Sequence, residues 1–151
     1  MLDTELIQVP SETVAVVRSV VPVDGLAGFF AQAYGRVAGA VPAAGGAVAG
    51  PPFGWYHGMP GATVDVAAGF PVAGDVHDPE GGVHVVERPG GLALTAVVAG
   101  SYDGLAAAWG ELGRDAAGRG LAPRGDSWEE YLTEPSADPR AQRTRLVLPV
   151  T

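Results

Sequence analysis

"DGLAGFFAQAYGRVAG" at 24–39 and "DGLAAAWGELGRDAAG" at 103–118 are two versions of one pattern. Both open Asp-Gly-Leu-Ala and close on Ala-Gly. Leu26, Phe29, Phe30, Ala33 and Val37 give the first segment an apolar stripe at helical spacing, and Leu105, Ala108, Trp109, Leu112 and Ala116 do the same for the second. The spacing predicts two amphipathic helices. Asp24 and Asp103 are N-cap candidates, because a carboxylate accepts orphan backbone N–H bonds and complements the helix dipole. Gly39 and Gly120 are candidate stop signals.

The repetition extends outward. A Val-rich strand candidate precedes each helix, "TVAVVRSVVPV" at 13–23 and "LALTAVVAGSY" at 92–102. An aromatic strand containing a tyrosine follows each, "PFGWYHG" at 52–58 and "SWEEYLTE" at 127–134. A last strand closes each on Pro-Val, "VDVAAGFPV" at 64–72 and "RTRLVLPV" at 143–150. Partners are offset by about 75 to 79 residues. The expected class is therefore α+β: duplicated β-α-β-β units about a pseudo-two-fold axis, an antiparallel sheet with two main helices and a central ligand cleft. A single domain over 1–151 is expected, with repeat 1 at about 9–74 and repeat 2 at about 83–151.

Composition limits the function. Nine basic against seventeen acidic residues give a net charge of −8, which opposes direct nucleic-acid binding. Cysteine is absent, which removes disulfides, thiolate catalysis and cysteine-based zinc sites. "MLDTELIQVP" has acids and no apolar run of signal-peptide length. Residues 37–64 lack Asp, Glu, Lys and Arg but contain four prolines and seven glycines, unlike a bilayer helix of about 20 apolar residues. A cytoplasmic protein without membrane contact is expected. His57, His77 and His84 lack metal-ligand spacing, "HDPE" at 77–80 reads as a loop, and no Gly-rich phosphate loop or G-x-S-x-G context occurs. No metal or cofactor is expected.

In "SWEEYLTEP" at 127–135, strand alternation puts Glu129 and Tyr131 on one face and Glu130 on the other. With the duplicated unit, "GSYDGL" at 100–105, "WEEYLTEP" at 128–135 and "RTRLVLPV" at 143–150, the chain resembles the GyrI-like family over about Val9 to Thr151. This small-molecule-binding fold also serves as the effector domain of AraC- and MerR-type drug-responsive regulators. The resemblance implies an aromatic cleft between the repeats that takes planar, lipophilic, often cationic molecules. It implies that Glu129 faces inward and Glu130 faces solvent or the flanking helix side. Many relatives carry a second acid where this chain has Ala67, which argues against strongly dicationic ligands.

Tyr131 shares the face of Glu129, and its repeat partner is Tyr56. Selecting Tyr56 leaves Phe53 and Trp55 to the core. Gly54 stands at the position of Glu129 in the first half, either as space for a ligand ring or as a bulge or close strand contact. Trp109 is a core residue or a wall of the cleft; Phe70 and Tyr102 are further candidates. Arg143 and Arg145 read as a solvated strand face. Two functions compete: capture of a lipophilic or cationic small molecule for sensing or sequestration, and opening of cyclopropane-containing DNA-alkylating natural products by added water, with Glu129 as general base and Tyr131 assisting. With no helix-turn-helix ahead of residue 10, regulation would need a separate DNA-binding partner. A monomer or homodimer is expected, and a protein partner for the acidic surface is a third possibility.

Overall fold

The computed structural model describes residues 2–59, 61–77, 79–133 and 138–151. Asp78 of "HDPE", and Glu134 and Pro135 of the Glu-x-Tyr segment, lie outside the described residues. Two compact units are present: Ser11–Pro89, and Met1–Pro10 together with Gly90–Thr151.

The Ser11–Pro89 unit contains β2 (Glu12–Pro22), α1 (Leu26–Ala43), β3 (Ala47–Val48), β4 (Phe53–His57), β5 (Thr63–Ala73) and β6 (His84–Arg88). Its antiparallel sheet runs β4-β5-β2-β6, with the short β3 also on β5. The other unit contains β1 (Thr4–Val9), β7 (Gly91–Ala99), α2 (Leu105–Gly118), β8 (Asp126–Tyr131) and β9 (Arg143–Pro149), in the order β1-β7-β9-β8. Both units follow one plan. The first strand leads into the helix, the strand after the helix pairs with the last strand, and the last strand pairs back on the first. The α+β class and the duplicated β-α-β-β unit expected from the sequence are present. Each unit also has an added strand that sequence reading missed: β6 on β2, and β1 on β7. Residues 84–88, assigned above to the second repeat, pair within the first unit instead.

One helix covers each sheet. Ala33, Val37 and Val41 of α1 pack with Ala15, Val17 and Ala68. Leu105, Ala108, Leu112 and Ala116 of α2 pack with Leu94, Ala96, Leu146 and Leu148. Alanines at the contact let the helices approach closely, and a fully buried residue such as Leu112 contributes about 1.5–3 kcal/mol.

The helix ends depart from expectation. A 3₁₀ turn precedes each helix, Val23–Gly25 and Tyr102–Gly104. Asp24 and Asp103 sit inside these turns, so the N-cap positions fall to Gly25 and Gly104, and no side-chain cap bond forms. Gly39 does not end α1, which continues one turn further. Both helices stop in Schellman motifs. In α1, the Gly46 N–H donates to Val41 C=O and the Gly45 N–H to Pro42 C=O; in α2, the Leu121 N–H donates to Ala116 C=O and the Gly120 N–H to Ala117 C=O. Gly45 (φ +95°) and Gly120 (φ +72°) supply the left-handed conformation.

Gly69 is fixed by close approach. A Cβ there would lie 1.8 Å from the backbone oxygen of Ala15 on β2. Gly69→Ala should therefore force β2 from β5 and cost about 1–3 kcal/mol, lowering Tm by several degrees. Gly39→Ala, at an exposed interior helix position with open space around it, should raise stability by about 0.5–1 kcal/mol. Thermal unfolding by circular dichroism checks both directions.

Candidate ligand site

Opposed residues on antiparallel strands share a face. Glu129 stands opposite Leu146, and Tyr131 opposite Thr144. Leu146 belongs to the core beneath α2, so Glu129 and Tyr131 point to the helix side. Glu129 is only 6% exposed. Its Oε2 accepts from the Trp109 indole Nε1–H at 2.6 Å, and its Oε1 accepts from the Tyr131 O–H at 2.7 Å. Both are charge-assisted bonds of the stronger kind. Trp109 reaches the carboxylate from α2 while also packing on that core, which places it among the core residues. Tyr102, 40% exposed, meets Tyr131 edge-on with ring centroids 5.7 Å apart. Burial pushes the Tyr102 phenol above its ordinary pKa, and the negative charge of Glu129 adds to the shift.

Glu130 has a separate role. It lies on the face away from α2, where it accepts from the Trp128 indole at 3.0 Å and from Arg145 at 3.2 Å. Arg145 is about half exposed, in keeping with a solvated strand face. At the start of β8, Arg124 grips Asp126 at 2.7 and 2.9 Å and donates to Gly90 C=O at 2.8 Å. This brace fixes where the strand begins.

In the Ser11–Pro89 unit, Gly54 pairs with Ala68 and Tyr56 with Val66. Ala68 is part of the α1 core, so Gly54 and Tyr56 face α1. Phe53 and Trp55 face the other way and are buried, as expected; the Arg88 guanidinium lies over the Phe53 ring at 4.5 Å. Ala67 pairs with Trp55 and therefore also faces away from α1. Phe70 belongs to an aromatic row that sequence reading did not assemble. Phe30 stacks on Tyr34 at 5.8 Å, and Tyr34 meets Phe70 edge-on at 5.6 Å. The Tyr34 O–H donates to Phe53 C=O at 2.9 Å. The i,i+4 spacing of Phe30 and Tyr34 was the available signal.

Among the described residues no three His, Asp or Glu groups are placed to hold a metal, and no helix is long and apolar enough to cross a membrane.

The description "GyrI-like small molecule binding domain" matches residues 2–151, and the chain belongs to the GyrI-like family. A comparison with curated proteins finds no significant match. Solved structures share the fold. The C-terminal domain of EcmrR has a TM-score of 0.83 at 22% identity, covering 100% of this chain and 98% of that one. A hydrolase from Listeria innocua has a TM-score of 0.70 at 17% identity, covering 99% and 92%. SAV2435 bound to tetraphenylphosphonium has a TM-score of 0.71 at 13% identity, covering 99% and 94%.

The Tyr102 shift is testable by NMR of ¹³C-tyrosine-labelled protein. Tyr102 should ionise above the ordinary phenol value of 10.0. In Glu129→Gln its midpoint should fall only part of the way back, because burial is the larger cause. A raised folded pKa stabilises fully below the unfolded pKa; the stability is lost as pH climbs past 10 toward the folded value. A Tyr102 midpoint at or below that of the free side chain would contradict the geometry.

Proposed function

We propose that the chain binds planar, lipophilic, positively charged small molecules at Glu129. One observation carries this reading: a nearly buried carboxylate is held by two neutral aromatic donors, Trp109 and Tyr131. The two donors fix the orientation of the carboxylate. An anion framed by aromatic rings suits a cation twice over, through direct attraction and through the negative ring faces. Tyr131, Trp109 and Tyr102 supply those rings. SAV2435 bound to tetraphenylphosphonium, a lipophilic tetrahedral cation, supports the lipophilicity and positive charge of this ligand class. This reading supports a role in sensing or sequestering such compounds in the cytoplasm.

The hydrolase structure from Listeria innocua favours a second reading. Glu129 would then act as general base on a water that opens a cyclopropane-bearing substrate, with Tyr131 holding that substrate. A general base contributes about 10²–10⁴-fold.

Fluorescence titration with tetraphenylphosphonium and a matched anionic dye separates the readings. Wild type should bind the cation in the micromolar range, about −8 kcal/mol. Glu129→Gln should weaken it roughly ten- to a hundredfold and leave a neutral aromatic ligand unchanged. Glutamine is tolerated here: its carbonyl accepts the indole N–H, and its amide donates to the Tyr131 oxygen, since a phenol both donates and accepts. Equal affinity for the anionic dye would overturn charge selection. Product formation by wild type that is lost in Glu129→Gln, read by mass spectrometry on a cyclopropane-bearing substrate, would establish the second reading.

A further inference from the structure

One polar group beside this site is not used by either reading. Thr144 on β9 stands between Tyr131 of β8 and Val98 of β7. Its side chain therefore shares the face of Glu129 and Tyr131. It is 1% exposed, and its Oγ1 has no hydrogen-bond partner among the described residues. Buried hydroxyls are ordinarily bonded. The next residues along that face, Leu146 and Leu148, are core, and a valine would fill the same position without an orphaned hydroxyl.

We propose that Thr144 is a specificity-determining residue of the Glu129 site, hydrogen-bonding a polar substituent on the bound ring system. The inference rests on the ligand reading given above. Geometry sets the kind of substituent. Leu146 is directly opposite Glu129, so Thr144 is its diagonal neighbour, about 7–8 Å away on the same face. That span is the width of a fused aromatic system. A hydroxyl both donates and accepts, so an amino, hydroxyl or carbonyl group at the far side of a planar cation meets Thr144 while the charge lies against Glu129. The site then selects polar-substituted aromatic cations over fully alkylated ones.

Two dyes separate these outcomes. Proflavine carries amino N–H groups on a planar cation, and acridine orange has the same ring system with those groups dimethylated. Their Kd values are measured on wild type, Thr144→Val and Thr144→Ser. Thr144→Val should weaken proflavine roughly fivefold and leave acridine orange within twofold, with an unchanged or higher Tm. Thr144→Ser, which keeps the hydroxyl, should retain the wild-type preference. Because the readout is the ratio of two affinities in one variant, a general loss of stability cancels. Should the valine variant fail to fold, Thr144→Ala gives the same ratio. If wild type binds both dyes and the ratio is unchanged on removing the hydroxyl, Thr144 is a core residue only and the proposal falls while the Glu129 site stands. If wild type binds neither dye, the ligand reading fails and this inference fails with it.

Discussion

A carboxylate that is nearly buried on a strand must be matched by donors, because burying it unsatisfied costs more than the strand pairing returns. In this chain the match is made by one residue from the helix and one from the strand itself. Trp109 donates from α2 and Tyr131 from two positions along β8. The bond from Trp109 ties the rotation of α2 to the position of β8, and the apolar row beneath α2 holds both at packing distance. The site is thus a consequence of how the helix sits on its sheet. Changes in the core beneath α2 should reach the carboxylate through Trp109.

The same unit is built twice and given two characters. Counted from Asp24 and Asp103, Phe30 occupies the place of Trp109; counted from Tyr56 and Tyr131, Gly54 occupies the place of Glu129. One unit therefore places an anion with polar donors on its helix side. The other places a glycine and a row of rings, Phe30, Tyr34 and Phe70, on its own. Glu129 and Glu130 repeat this division at close range. Each accepts from an indole, but only Glu130 is on the face with Arg145. Adjacent identical residues thereby meet different partners: Glu130 accepts from a guanidinium, and Glu129 from an indole and a phenol.

Much of this was legible in the sequence because apolar periodicity and repetition survive at the level of residue type. The offset between partners drops from 79 at the aspartates to 75 at Tyr56 and Tyr131, and the structure explains the drop. The helices have 18 and 14 residues, so α1 is one turn longer. Gly39 misled for the same reason: it marks where α2 would stop, not where α1 does. Asp24 and Asp103 misled because a 3₁₀ turn looks like a capping residue when only residue types are read. The added strands β1 and β6 escaped because "TELIQV" and "HVVER" are largely exposed and mix charges into the alternation. Strand alternation paired Glu129 with Tyr131, but it said nothing of which helix residue would meet them. The burial of Thr144 was invisible, since an alternating Arg-Thr-Arg gives no sign that the middle residue is buried, with its hydroxyl unbonded among the described residues.

The most direct test of the central claim, that the carboxylate held by Trp109 and Tyr131 anchors a cation, is crystallographic. Crystals soaked with tetraphenylarsonium carry an arsenic whose anomalous signal marks the cation centre. The account predicts a peak on the α2 side of β8, within about 6 Å of the Trp109 or Tyr131 ring centroids, with both donor bonds to Glu129 kept. Arsenic located instead beside the β5–β6 connection around Val76, Val83 and His84, where the surface is concave, would contradict it.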